Sequence, residues 1–163
     1  KFTFIIENYD NLPDVALYIK TNLFKFIHRD EFDKVKNNKT FTPLLTSTHK
    51  VYLPVCYYQD GIYWEVNSYW YLNSHPPKNQ QRFDELIDLL DMRERTYNAF
   101  APGSNYILTR EDIQRHPKSF YEKLLSFLDW ANYPGEAHIL ERNLYYLWGT
   151  DTIKSQWNTP CFM

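Results

Sequence analysis

Phe2, Ile5, Ile6 and Tyr9 recur at helical spacing, so the chain opens on a short amphipathic helix. Asp10-Asn11-Leu12-Pro13 ends it, because proline moves the residue before it out of helical dihedrals. Val15-Ala16-Leu17-Tyr18-Ile19 follows as an unbroken apolar run of strand length between turn residues. Such a run predicts a strand buried on both faces, the pattern that a parallel sheet requires.

The stretch from His28 to Thr48 is polar, with a surface loop expected at Asn37-Asn38-Lys39. Two β-forming runs, Val51 to Tyr58 and Ile62 to Leu72, flank Asp60-Gly61, which is a hairpin signal. The irregular spacing of Trp64, Val66, Tyr69 and Trp70 points to some helix near the end of the second run. Asn73-Ser74-His75-Pro76-Pro77 breaks it. From Gln80, Phe83, Leu86, Ile87 and Leu90 share one helical face.

The last third, from about Asn98 to Gly149, is the densest in pattern. Ala101-Pro102-Gly103-Ser104 predicts a turn, and Asn105 to Leu108 a short strand. Thr109 reads as an N-cap with Asp112 completing a capping box, so a short helix runs from Arg110 to Arg115. Pro117 opens a second helix whose stripe is Phe120, Leu124, Phe127 and Leu128. Leu140, Leu144, Leu147 and Trp148 stripe a final helix that Gly149 can end. The whole predicts one α/β domain across residues 1–163.

Composition narrows the function classes. With 163 residues, 44% hydrophobic and 23% charged, the chain can bury a core. A net charge of −2 supplies no cationic face, which disfavours nucleic acid as a partner. No run of 18 apolar residues and no signal-peptide pattern is present, so a soluble, cytoplasmic protein with no membrane span is expected. Lys1-Phe2-Thr3-Phe4 reads as the middle of an element, so a preceding piece is expected. The two cysteines, Cys56 and Cys161, suggest a core thiol and a tail thiol. Asn38-Lys39-Thr40 matches the short glycosylation sequon. Aromatic residues reach 18%, which suits half-buried clefts and interfaces as well as an ordinary core.

Several chemistries lack their residues. No two of the five histidines sit at zinc-helix spacing, and no Asp-x-Asp occurs. Only four glycines are present and no Gly-x-Gly, which removes the phosphate-loop and dinucleotide fingerprints. Ser104 follows a glycine but lacks the nucleophile elbow around it. The acidic cluster Asp30-Glu31-Phe32-Asp33 reads as a solvated loop or as a displaced cation site. Glu141-Arg142, close behind His138 near the start of the last helix, is the group with most potential. A carboxylate beside a histidine can serve as a general base. The plainer reading is a dipole-favoured carboxylate with Arg142 in a structural ion pair.

Four segments in order carry a family resemblance. They are Tyr9-Asp10-Asn11-Leu12-Pro13-Asp14 before the Val15 run; Gly103-Ser104-Asn105-Tyr106-Ile107-Leu108-Thr109-Arg110-Glu111; His116-Pro117 with Phe120-Tyr121 and Leu124; and His138-Ile139-Leu140-Glu141-Arg142 with Trp148-Gly149. Together they resemble a widespread uncharacterised family that looks like the GT-A type of nucleotide-sugar glycosyltransferase. That family's opening strand with its Tyr-Asn-Glu-like motif has no counterpart here. Lys20-Thr21-Asn22-Leu23-Phe24 stands where a Gly-His-Pro-Phe stretch is usual.

The resemblance implies a three-layer α/β fold, with a mostly parallel central sheet flanked by helices, shortened at its N-terminus. It implies transfer of a sugar from a nucleotide diphosphate to a glycan or other acceptor, aided by Mn²⁺ or Mg²⁺. Gly103, Ser104, Asn105, Tyr106 and Arg142 would bind substrate, and Glu141 and His138 would be catalytic. The aromatic region Tyr57–Tyr71 would stack on an acceptor. The alternative is a non-catalytic subunit that keeps the fold and binds other protein subunits; carbohydrate binding without turnover lies between the two.

Overall fold

The computed structural model describes residues 1–46, 56–59 and 62–149. Helix α1 (Phe2–Asn8) buries Phe2 and Ile5 and passes into a 3₁₀ turn at Tyr9–Asn11. Strand β1 (Val15–Tyr18), helix α2 (Arg29–Val35) and the two-residue strand β2 (Thr42–Pro43) follow. Strands β3 (Cys56–Gln59) and β4 (Ile62–Val66) lead through a 3₁₀ turn at Trp70–Asn73 to α3 (Gln80–Leu89) and β5 (Tyr97–Phe100). The chain ends its described course with β6 (Tyr106–Thr109), α4 (Arg110–Gln114), α5 (Lys118–Ser126) and α6 (Gly135–Trp148).

The expected three-layer fold with a mostly parallel sheet is not what forms. Two small three-stranded sheets, β1-β6-β2 and β3-β4-β5, are present, and every pairing within them is antiparallel. The error has a physical source in β1. Its apolar run suggests burial on both faces, yet Leu17 is 43% exposed and Ile19 just beyond the strand is 48% exposed. Among the described residues β1 lies at the edge of its sheet and covers one face only, and a short apolar run does not reveal its partner's direction. The architecture is therefore α+β, with helices packed against two short antiparallel sheets.

Local signals hold up better. β3 and β4 pair with Gln59 opposite Ile62, as a hairpin requires, while Asp60-Gly61 itself lies outside the described residues. Val51–Val55, His49 and Cys161 lie outside them too, as does the Cys56 side chain. Thr109 accepts the Asp112 N–H at 3.1 Å and Asp112 accepts the Thr109 N–H at 2.9 Å, a complete capping box. Pro117 stands at the N-cap position of α5, and Gly149 stands at the C-cap of α6, where an added Cβ would collide with the Tyr145 carbonyl.

One apolar cluster joins both sheets to the helices. Phe2 and Ile5 of α1 meet Tyr121 and Leu124 of α5, and Tyr106 and Leu108 of β6 meet Leu144 and Trp148 of α6. Each such side chain contributes about 1.5–3 kcal/mol on burial. Two of the polar handles are paired: Trp148 Nε1 donates to the Tyr121 hydroxyl at 3.1 Å and that hydroxyl donates to the Ile113 carbonyl at 2.7 Å. Helix α6 is buried around most of its girth, which leaves Ala137, His138 and Glu141 as a half-buried stripe, with Tyr146 half-buried near its end. No helix among the described residues is long and apolar enough to cross a membrane.

Candidate functional site

The turn before β6 builds the first side of the site. Ser104 N–H donates to the Ala101 carbonyl at 2.9 Å, closing a turn with Pro102 and Gly103 at its centre. Gly103 has φ +87°, a conformation that favours glycine, and an added Cβ there would sit 2.7 Å from the Phe26 ring. Ser104 follows with φ 57°, left-handed despite its side chain. These two residues converge on one carboxylate oxygen. Glu141 Oε1 accepts the Gly103 N–H at 2.9 Å and the Ser104 hydroxyl at 3.1 Å.

Glu141 lies seven residues into α6, not near its start, because the helix begins earlier than its leucine stripe suggests. Pro134-Gly135-Glu136 is the start signal that the stripe hides. Glu136 fills the first turn, fully buried, accepting the Lys78 N–H at 3.0 Å and the Trp130 indole N–H at 3.2 Å.

Lys20 supplies the cation. Its Nζ lies 4.0 Å from Glu141 Oε1, and its backbone N–H donates to Asn105 Oδ1 at 2.7 Å. Asn105 is fully buried and fixes the Lys20 backbone against the turn, while its Nδ2 has no partner among the described residues. Glu141 Oε2 takes no hydrogen bond among the described residues, and the side chain stays 21% exposed.

Two cavities flank Glu141. The first, of about 460 Å³, is lined by Lys1, Lys20, Ser104, His138 and Glu141, together with Phe2, Thr3, Tyr133, Ala137 and four leucines on or near α5 and α6. The second, of about 390 Å³, is lined by Tyr63, Trp70, Phe100, Glu65 and Arg142, with Lys20 and Glu141 again at its edge. Both volumes suit small-molecule sites. Lys1 is exposed as a residue, yet its ammonium is pushed down to about 8, first by desolvation and then by Lys20.

His138 lines the first cavity one turn before Glu141, and its ring stacks on His75 at 4.2 Å between centroids. Its pKa is lowered, first by burial, then by His75 and Arg142. Arg142 turns the other way. It forms a buried bidentate pair with Glu65 and lies over the Tyr71 ring at 3.8 Å, while still forming part of the second cavity's wall. Tyr106 is fully buried, its hydroxyl accepting the Ala101 N–H at 2.8 Å and its ring stacked on Phe41.

The structure thus brings Gly103, Ser104, His138 and Glu141 together, sets Asn105 and Tyr106 behind them, and adds Lys20 and Glu65, which pattern alone did not single out. Of the aromatic region Tyr57–Tyr71, Tyr63 and Trp70 reach the second cavity. The Asp30-Glu31-Asp33 cluster does not assemble, since Asp33 pairs with Lys36 at 2.7 Å and Glu31 receives the Thr46 hydroxyl. Among the described residues no group of three or more His, Cys, Asp or Glu side chains is placed to hold a metal ion.

Fold and site together define an α+β domain with a carboxylate held between two cavities. The chain belongs to the family described as "Protein of unknown function (DUF3431)", which matches residues 2–163. No curated protein and no solved structure matches the chain significantly.

Proposed function

We propose that this domain transfers a sugar from a nucleotide diphosphate donor to an acceptor hydroxyl, with Glu141 as general base. The observation that carries this reading is the state of Glu141. One carboxylate oxygen is fixed by Gly103, Ser104 and Lys20, and the other is unengaged where two cavities meet. Orientation by one oxygen and proton acceptance by the other is what a general base needs.

The chemistry balances. Oε2 takes the proton of the acceptor hydroxyl as its oxygen bonds to the anomeric carbon. The bond from that carbon to the diphosphate oxygen breaks, and the nucleoside diphosphate leaves with the electron pair. Lys20, which borders both cavities, offsets the negative charge that the leaving group gains. The apolar faces of the donor sugar suit Trp70, Tyr63 and Phe100 in the second cavity.

Thermal-shift titration with UDP- and GDP-sugars, with and without Mn²⁺, combined with detection of released nucleoside diphosphate, tests this. Stabilisation plus release that disappears in Glu141→Gln is the expected result. No shift and no release across the panel rejects the reading.

A second reading, a non-catalytic subunit of a larger assembly, is favoured by one observation. Strand β1, at the sheet edge among the described residues, presents Leu17 to solvent, and Ile19 lies exposed just beyond it, an arrangement that suits pairing with another chain. Co-purified protein subunits that protect β1 from hydrogen exchange, in a protein inert toward every donor, would favour it.

A further inference from the structure

Resting on the transferase reading, we propose that the first cavity takes the apolar body of the acceptor, so that the acceptor is an amphiphile: a hydroxyl-bearing head at Glu141 joined to an alkyl or similarly apolar tail.

The two cavities differ in kind. The second is framed by aromatic rings and the Glu65–Arg142 pair, whereas Phe2, Leu125, Leu128, Leu140 and Leu144 line the first. The part of the lining made by Phe2 and these leucines gives a hexose no partners for its hydroxyls, and desolvating them there is costly. It rewards apolar surface instead. The polar side chains of the first cavity are Lys1, Thr3, Lys20, Ser104, His138 and Glu141, with the Tyr133 hydroxyl. Glu141 and Lys20 also border the second cavity, so a head group held there sits next to the donor sugar while its tail runs along α5 and α6. Tyr133, 81% exposed, lines this cavity as well, which gives a longer tail a flat apolar surface on its way out. About 460 Å³ accommodates a chain of several methylene groups as well as the head.

The test is a titration of the whole chain with methyl, hexyl and octyl β-D-glucosides below their micelle-forming concentrations. Calorimetry gives the affinities, and amide chemical shifts locate the ligand. Affinity should rise steeply with chain length, by up to about fourfold for each methylene group buried. The shifts should centre on Leu125, Leu128 and Leu144. Tyr133→Ser and Leu128→Asn, each confirmed folded by thermal melting, should flatten that dependence. Equal affinity for methyl and octyl glucosides overturns the proposal, and so does a chain-length dependence whose shifts fall on Trp70 and Phe100. A nucleotide-sugar panel run in parallel separates the two readings. Donor binding without chain-length dependence removes only the amphiphile assignment, whereas failure of every donor removes the transferase reading.

Discussion

Arg142 on α6 reaches Glu65 on β4 through two hydrogen bonds, Nε to Oε1 at 2.6 Å and Nη2 to Oε2 at 3.1 Å. The two side chains are 8% and 2% exposed. The guanidinium also lies over the rings of Tyr71, Phe100 and Trp70, at 3.8, 5.1 and 5.6 Å. This pair ties the β3-β4-β5 sheet to α6 beneath the second cavity. Removing one partner leaves the other charge buried and uncompensated. Glu65→Ala should therefore cost about 3–5 kcal/mol in urea denaturation. The double replacement Glu65→Leu with Arg142→Met should recover much of that loss. A Glu65→Ala variant within 1 kcal/mol of wild type, about the spread of ordinary surface changes, would contradict this account.

Glu141 tests the chemistry rather than the fold. Glu141→Gln keeps the shape and an acceptor oxygen for Gly103 N–H and the Ser104 hydroxyl. Thermal melting should move little. Nucleotide release coupled to transfer should fall by about 10²–10⁴-fold, the usual worth of a positioned base.

Gly103 tests the turn. Alanine there must hold φ +87° and place a methyl group against the Phe26 ring. Gly103→Ala should destabilise by about 1–3 kcal/mol. It should also loosen the N–H bond to Glu141, so activity should drop beyond the share that unfolding explains. Parallel denaturation and activity curves separate the two effects.

His138 makes stability depend on pH in a defined direction. Burial, then His75, holds its folded-state pKa below the ordinary 6.5. The unfolded chain therefore binds the proton more readily than the folded one. The stability is fully present above about 6.5 and declines as pH falls below it. Urea midpoints measured from pH 7.5 down to 5 should fall more steeply for wild type than for His138→Gln. Parallel profiles would show that the histidine is not a source of the decline.

Periodicity and caps were enough to place α1, α3, α4, α5 and the body of α6, because those signals act through dihedral preferences and contacts three or four residues apart. The Thr109–Asp112 capping box is written in four consecutive residues, and the Pro-Gly turn at Pro102-Gly103 in two. The Gly103–Glu111 and His138–Arg142 segments, which carry the family resemblance, are brought into contact by the Glu141 bonds to Gly103 and Ser104. Tertiary structure decided the rest. β1 pairs with β6 some ninety residues away, antiparallel, and nothing in Val15–Tyr18 encodes that direction. Glu141 meets Gly103 across 38 positions and Arg142 meets Glu65 across 77. Adjacent residues on one helix were thereby assigned opposite tasks: Arg142 was drawn into the core and Glu141 left at the mouth of two cavities. One residue along a helix turns the side chain by about 100°, and only the packing around α6 determines which direction is core and which is cavity.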